Sequence, residues 1–442
     1  MKKSNLFIVF CVVFTALYVS CSDDNMNIRR ADMVEQLGQN NSIRSLEEAI
    51  NIAAQVANLG NSFYTRSSIE RTVSLNGITV IKEPCTRTDE EGFNSDTLMY
   101  IINYEDNQGF AVVSANRATG ALLAVTESGE YSSGNMVENP GFNDYIERAK
   151  AYIRYTNSTI LKHPGLNNPE VPEATIVISA ISPLIQTHWG QGEPAGDYCS
   201  NRKSGCAALA IAQIMGYYKY PTSISLTFPE ADTTVQVLTW DSLYLHKLSD
   251  LYHNLPSDFP NNYCTATDSA SVHRAIGRLC RQLGHRMNST YNTNPLISTS
   301  TYIDSIIPCL NTYNYACSNW LPYDSACSKQ PLEDGHPLIV TGSFKHQFPT
   351  DPYHAWIIDG YATASVDRFL LNGDTEHIND LYYPHINWGW DGYYDGFYLE
   401  NVFDFEIVNK DYLDSPSPYN YQQSHKVGNY ETNLYYITPY HN

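Results

Sequence analysis

The segment SGCAALAIAQIM, Ser204–Met215, places a cysteine at the first turn of a helix-like apolar run. A cysteine that serves packing can occupy any position on a helix, where it is a small buried hydrophobe. A thiol at the N-terminal end instead points into the positive end of the helix dipole, which favours the thiolate. Cys206 is therefore a candidate nucleophile, and the rest of the chain must supply its partners.

A thiol nucleophile needs a base, and it needs hydrogen-bond donors for the oxyanion that develops on the attacked carbonyl. His354, in PYHAWIIDGY, begins an apolar strand from which its side chain can enter a cleft. Asn387 and Trp388, in INWGWDG, could hold the imidazole through one ring nitrogen and shield that bond from water. Gln191, in THWGQ, lies upstream of the cysteine and offers a side-chain amide donor.

The order of these residues along the chain is the order found in papain-like cysteine proteases: glutamine, cysteine, histidine and then asparagine. Each residue alone has a structural explanation, such as a strand-end histidine or tryptophans in the core of a sheet. Together, each in a distinctive segment, they indicate peptide hydrolysis by a cysteine and a histidine.

The same segments resemble the streptopain family of secreted bacterial cysteine proteases. The resemblance lies in the nucleophile, histidine, Asn-Trp-Gly-Trp-Gly and oxyanion-glutamine segments, which read here SGCAALAIAQIMGYYKYP, HAWIIDGY, HINWGWDGYYDGFY and WGQGEP. It covers roughly residues 180–440. It implies Cys206 as nucleophile, His354 as general acid, and Asn387 and Trp388 as the groups that orient and shield that histidine. Gln191 and the Cys206 main-chain N–H would hold the oxyanion.

The resemblance extends to an inhibitory propeptide, which GFAVVSANRATGALLAVTESGEY, Gly109–Tyr131, looks like. It implies an endopeptidase made as a zymogen, with protein or peptide substrates, with its own propeptide as inhibitor and with no cofactor. The family usually prefers a bulky apolar residue just before the residue at the cut. Tyr353 stands where a glycine is common in the family, and we expect it to narrow the cleft beside His354.

The hydrophobic pattern predicts an α+β fold. SLEEAINIAAQVANL, with Ser45 and Glu48 in a capping box, predicts a helix, and four strand-like runs follow it between Ile78 and Glu127. After the linker-like stretch Lys162–Ala174, helix-like segments around 268–286 and 301–312 precede strand-like ones. This order favours two subdomains with a cleft between them. The resemblance makes this a papain-like fold, with a helical half and an antiparallel sheet half, preceded by a small α+β propeptide domain.

The N-terminus predicts export. Lys2 and Lys3 precede the apolar run LFIVFCVVFTALYV, which suits a signal-peptide core and is too short for a comfortable membrane span. The run ends beside Cys21, in a pattern that looks like a bacterial lipoprotein signal; an ordinary cleaved signal is the alternative. The Ser-Asp-Asp that follows resembles the export tag of surface lipoproteins. We therefore expect a signal over 1–21, a propeptide over 22–165 and a catalytic domain over 166–442.

Charge and cysteine content limit the partners. The net charge of -20 argues against nucleic acid and against electrostatic binding to anionic lipid, which leaves Cys21 as the only expected membrane contact. No cysteine pair has the CxxC spacing of a zinc site, so we expect no metal. Besides Cys206, six cysteines of the catalytic domain could form up to three disulfides or stay reduced. They are Cys199, Cys264, Cys280, Cys309, Cys317 and Cys327.

Two other functions fit parts of this pattern. A papain-like amidase or cell-wall peptidase would use the same residues, but such enzymes are generally shorter and lack the propeptide-like region. A catalytically inactive binding lipoprotein would not need Cys206, His354, Asn387 and Gln191 together. The localisation expected for the endopeptidase is an outer-membrane or cell-surface lipoprotein as zymogen, with release of the mature form.

Overall fold

The structure is a computed structural model, and it describes residues 43–57, 71–83, 97–117, 119–132, 139–162, 175–244, 266–292, 299–323, 325–343, 353–369, 375–404 and 434–441. These stretches belong to one unit that spans Ser42–Asn442. The predicted signal with Cys21, most of the predicted linker and the side chain of Tyr353 lie outside the described residues. No described helix is both long enough and apolar enough to span a bilayer.

The described helices are α1 (Leu46–Val56), α2 (Pro140–Lys162), α3 (Cys206–Tyr218), α4 (Trp240–Tyr244), α5 (Ala266–Arg286), α6 (Ile306–Thr312), α7 (Ser325–Glu333) and α8 (Asn401–Asp404). The described strands are β1 (Val73–Lys82), β2 (Thr97–Tyr104), β3 (Phe110–Ser114), β4 (Leu122–Thr126), β5 (Thr175–Ile181), β6 (Ser223–Ser225), β7 (Val235–Val237), β8 (Ala316–Cys317), β9 (Leu321–Pro322), β10 (Leu338–Ser343), β11 (Tyr353–Phe369), β12 (Thr375–Asn387), β13 (Gly396–Tyr398), β14 (Leu434–Ile437) and β15 (Pro439–Tyr440).

One antiparallel sheet of eleven strands runs through the molecule, in the order β1-β2-β3-β4-β13-β12-β11-β10-β14-β9, with β5 paired to β11. The strands of the N-terminal region join those of the C-terminal region where β4 pairs with β13, with Val125 opposite Phe397. The α+β class and the helical and sheet halves are confirmed. The sequence did not predict that the two regions share one sheet.

The first helix begins as the sequence predicted. The Ser45 hydroxyl accepts the Glu48 N–H at 3.2 Å, and the Glu48 carboxylate accepts the Ser45 N–H at 2.7 Å. This reciprocal capping box satisfies two N–H groups that a helix start otherwise leaves without partners. The buried face of α1, Ala49 and Ala53, packs against the sheet at β3.

Two hydrophobic cores lie on opposite faces of the sheet. Along β11, Ala355 and Ile357 point into the core of the helical half, which contains α3, whereas Trp356 and Ile358 point into the other core. This alternation follows from the two-residue period of a strand. Helix α3 is buried almost all round from Ala207 to Gly216, as its uninterrupted apolar sequence predicts for a central helix.

The described cysteines are free thiols. Cys199, Cys280, Cys309 and Cys317 carry no disulfide, and neither does Cys206. Of the six candidate disulfide cysteines, Cys264 and the side chain of Cys327 lie outside the described residues. Because four of the six candidate cysteines are free thiols, these six do not form three disulfides in this structure.

Candidate active site

The structure places Cys206 at the first residue of α3, half-buried. Gly205 before it has a φ of 89°, and a Cβ there would lie 3.0 Å from Cγ2 of Thr299. Both the positive φ and the lack of space favour glycine at this position. The tight turn brings the chain into the helix so that the thiol stands at its N-terminal end.

The Cys206 sulfur accepts hydrogen bonds from the main-chain N–H groups of Ala355 and Ala207. Ala355 directly follows His354, so the thiol lies beside the main chain that carries the imidazole. Burial raises the pKa of the Cys206 thiol, and these N–H groups only partly oppose that effect. The structure therefore favours the thiol over the thiolate.

His354 lies near the start of β11 and is 4% exposed. Its imidazole makes a hydrogen bond with the main-chain carbonyl of Trp388, and its ring stacks on Trp356 with centroids 5.9 Å apart. Burial lowers the pKa of His354 to about 4, although the Trp388 carbonyl acts in the opposite direction. At neutral pH the imidazole is neutral in this state.

Asn387 ends β12, and both polar groups of its side chain are engaged. Its Nδ2 donates to the Thr187 carbonyl at 2.9 Å, and its Oδ1 accepts from Gly389 N and from Gln213 Nε2, both at 3.1 Å. In this structure Asn387 thus reaches His354 through the adjacent Trp388 main chain. A direct hydrogen bond between the Asn387 side chain and His354 stays a prediction.

Trp388 is 1% exposed and lies among aromatic rings. Its ring centroid is 5.5 Å from that of Trp356 and 5.4 Å from that of Tyr398. Its main-chain N–H donates to the Asp395 carboxylate at 2.8 Å. These contacts fix the segment whose carbonyl meets His354, and they surround that hydrogen bond with apolar atoms.

Gln191 lies in the loop before the nucleophile, and its side chain is half-buried. Its main-chain carbonyl accepts the N–H of Ser204 at 2.9 Å. The glutamine segment and the residues just before Cys206 therefore run side by side, as an oxyanion site made from both requires.

Gln213 was not predicted as a site residue; it lies two helical turns after Cys206 on α3 and is 1% exposed. Its amide bonds Asn387, and its oxygen accepts from the Thr187 hydroxyl at 2.9 Å and from Trp189 N at 3.2 Å. Its one sequence signal was a polar residue within an otherwise apolar, buried helix. Such a residue must find hydrogen-bond partners inside the protein.

The N-terminal region reaches this site through the start of α2, an element that the sequence did not predict. A Cβ at Gly141 would lie 2.4 Å from two ring carbons of Trp388 and 3.3 Å from Cδ2 of His354. Asn139, 2% exposed, caps the helix by accepting Phe142 N at 3.0 Å. The beginning of α2 thus packs directly on the candidate catalytic residues.

A buried charge cluster also joins the two regions. His385 Nδ1 lies 2.6 Å from Asp359 Oδ1, and its Nε2 lies 3.2 Å from Oε1 of Glu127, which follows β4. Burial alone would lower the pKa of His385, but the carboxylates of Asp359 and Glu127 outweigh burial and raise that pKa well above its ordinary value. A second pair, His188 with Asp395 at 3.4 Å, lies near it.

Comparisons with known proteins match both regions. A model of the peptidase C10 family matches residues 187–398, and a model of the Spi protease inhibitor matches residues 34–153. Streptopain from Streptococcus pyogenes serotype M28 is 23% identical over 337 residues, which cover 69% of this chain and 74% of that protein.

Two solved structures from Prevotella intermedia are also similar. A fragment of prointerpain A is 19% identical with a TM-score of 0.46, and the match covers 81% of this chain and 98% of that chain. Active interpain A is 22% identical with a TM-score of 0.34, over 50% of this chain and 86% of that chain.

The chain is a cysteine-type endopeptidase that carries its own inhibitor domain as a propeptide. Its C-terminal region is a domain of the peptidase C10 family, the family of streptopain.

Proposed function

We propose that Cys206 and His354 are the catalytic pair of this endopeptidase. The thiol proton passes to His354, and the thiolate attacks the carbonyl carbon of the peptide bond. The carbon–nitrogen bond then breaks as the imidazolium protonates the leaving amine, and water hydrolyses the thioester. The Gln191 amide and the Cys206 N–H stabilise the oxyanion. Asn387 orients His354 and Trp388 shields it.

The observation that carries this proposal is the hydrogen bond from the Ala355 N–H to the Cys206 sulfur. It fixes the thiol next to the residue that bears the imidazole, although the two side chains come from segments far apart in sequence.

In this proposal the docked propeptide holds the pair in its neutral form. The start of α2 packs on Trp388 and His354. Burial disfavours both the imidazolium of His354 and the thiolate of Cys206. A buried ion pair of this kind needs its charged forms, so a site that stabilises the neutral forms is latent. Removal of the propeptide exposes the site and removes that penalty.

A thiol-reactive peptide label tests the catalytic assignment. The matured wild-type enzyme should take up one label, at Cys206, and lose peptide hydrolysis in proportion. Cys206→Ser should take up none in a correctly folded enzyme. Stoichiometric labelling of another cysteine with loss of activity would overturn the assignment.

We further propose that residues 1–21 are a lipoprotein-type signal, 22–165 the propeptide and 166–442 the catalytic domain. The two family matches, with the end of α2 at Lys162 between them, support this division. Cys21 lies on the propeptide side of the boundary, so lipidation would tether the exported zymogen. A cut between about residues 155 and 182 would leave the mature protease without a covalent anchor.

Cell fractionation separates these steps. Wild-type activity should reach the medium, whereas full-length Cys206→Ala should stay with the membrane unless another protease processes it. A soluble full-length Cys206→Ala protein would contradict lipidation of Cys21. Mature, cleaved enzyme that stays firmly on the membrane after a mild salt and pH wash would contradict the release.

A further inference from the structure

A closed ring of buried hydrogen bonds lies behind the candidate active site. Gln213 donates to Asn387 Oδ1 at 3.1 Å, Asn387 donates to the Thr187 carbonyl at 2.9 Å, and the Thr187 hydroxyl donates to Gln213 Oε1 at 2.9 Å. The three residues are 0–2% exposed. The ring joins the nucleophile helix, the segment that leads to Gln191 and the end of β12.

The ring continues into the turn that carries the Trp388 carbonyl. Asn387 Oδ1, the atom that accepts from Gln213, also accepts from Gly389 N at 3.1 Å. That second bond closes a turn around Trp388, and the carbonyl of Trp388 meets the His354 imidazole. A displacement of the Asn387 side chain therefore moves the hydrogen-bond acceptor of His354.

We propose that Gln213 is a positioning residue that fixes the Trp388 carbonyl, the acceptor for His354, relative to Cys206. The inference rests on the proposed pair of Cys206 and His354. An amide suits this position because one end donates to Asn387 while the other accepts from Thr187 and Trp189. An apolar residue of the same size would leave the buried oxygen of Asn387 and the Thr187 hydroxyl short of partners.

Loss of the Gln213 amide should change the pKa of His354. The Trp388 carbonyl accepts an imidazole N–H and so favours the imidazolium, as its opposing effect on the pKa of His354 indicates. When the carbonyl is displaced, the imidazolium loses this support and gives up its proton at lower pH. The alkaline limb of kcat/KM against pH, which reports that proton, should move down by about one pH unit, while KM changes little.

The variants are Gln213→Met, of similar size, and Gln213→Leu, and both remove the amide without adding a charge. The matched control is Gln282→Met on α5. Gln282 is 0% exposed, and it bonds Thr227 through both ends of its amide, at 2.7 Å and 3.0 Å. It is a buried helical glutamine outside the active site, so it reports the effect of losing such an amide on stability alone.

Full-length chains are matured with tagged wild-type protease, which is then removed, and the active sites are titrated before the pH profile of kcat/KM is measured. The proposal expects the downward shift in Gln213→Met, with the Gln282→Met profile superimposed on that of the wild type. If Gln213→Met does not fold, the same downward shift is expected in Gln213→Leu. A Gln213 profile that coincides with that of the wild type, or an equal shift in Gln282→Met, would overturn it.

The wild-type pH profile and the Cys206→Ala variant test the catalytic pair separately from the proposal about Gln213. A bell-shaped profile that is lost in Cys206→Ala upholds the catalytic pair, whatever the Gln213 variants do. If hydrolysis instead survives in Cys206→Ala, the pair is wrong and the inference about Gln213 falls with it.

Discussion

Gly141 of the propeptide lies so close to Trp388 that a Cβ in place of its hydrogen would stand 2.4 Å from two carbons of the indole ring. Real carbon atoms do not approach so closely without displacement, because interiors are packed at close to crystal density. The first turn of α2 and the Trp388 ring thus fit together only with glycine at this position. The contact links the propeptide to the residue whose carbonyl holds His354.

Gly141→Ala should weaken the hold of the propeptide on the catalytic domain. Overpacking of this kind costs about 1–3 kcal/mol, which corresponds to an affinity of the propeptide lower by roughly five- to 150-fold. The measurement is the rate at which the full-length chain processes itself, which should rise. In Gly120→Ala the added Cβ meets Leu399 at an ordinary 3.5 Å, so this variant should process like the wild type. Equal rates in the wild type and Gly141→Ala would contradict the steric account.

The neutral pair in the zymogen should make Cys206 unreactive before maturation. Burial lowers the pKa of His354 to about 4 and raises that of Cys206, so near neutral pH the thiol keeps its proton. Iodoacetamide reacts with the thiolate, and each unit of pKa changes the thiolate population about tenfold. We expect alkylation of Cys206 to be at least about tenfold slower in the full-length chain than in the mature enzyme. Peptide mapping of a mixture of the two forms measures the alkylation rate of Cys206 in each. Equal alkylation rates would contradict a zymogen that is latent because its thiol stays protonated.

Glu127→Gln should destabilise the zymogen in a pH-dependent way. The raised pKa of His385 means that its charged form favours the docked propeptide. The contribution of charged His385 to the stability of the zymogen is complete below the ordinary histidine pKa of about 6.5. It is lost as the pH rises through the raised pKa of His385. In a Cys206→Ala background that prevents processing, we expect Tm to fall by about 2–5 °C near pH 6. The difference should shrink as the pH rises through the raised pKa of His385.

The control for this prediction is Glu130→Gln, which removes the same charge from an exposed position three residues further along the propeptide. Its Tm should follow that of the parent at every pH, because an exposed carboxylate contributes little. A Glu127→Gln difference that stays constant or grows with pH would show that His385 is not its source.

Gln191→Ala should lower turnover more than it weakens substrate binding. Loss of one oxyanion donor typically lowers kcat about a hundredfold or more, because the donor acts on charge that exists only in the transition state. Steady-state kinetics separate the two parameters. A change confined to KM would identify Gln191 as a substrate contact instead.

Much of the molecule could be predicted because the signals were local. Ser45 and Glu48 stand at the spacing of a capping box, and the structure contains that box. The glycine before Cys206 and the apolar run after it predicted a buried helix that begins at the thiol, as observed. Family motifs added the proposed pairing of Cys206 with His354, which no local pattern could give.

The features that escaped prediction depend on tertiary contacts. Nothing in the residues of β4 and β13 indicates that Val125 lies opposite Phe397, because any two strands with free edges can pair. Gly141 is an ordinary glycine until Trp388 is placed against it. Gln213 is one polar residue on a helix, and the function proposed for it depends on contacts with Asn387 and Thr187, which lie far away in the sequence.

Peptide hydrolysis by Cys206→Ala, processed in trans, shows whether Cys206 is the nucleophile. The half-buried free thiol Cys317, on β8, offers the matched control Cys317→Ala. We predict that Cys206→Ala keeps the fold, as judged by circular dichroism and Tm, and loses at least about a thousandfold in kcat/KM, with His354→Ala and the double variant no worse than that. Cys317→Ala should hydrolyse peptides like the wild type. A folded Cys206→Ala enzyme with substantial activity would contradict the account.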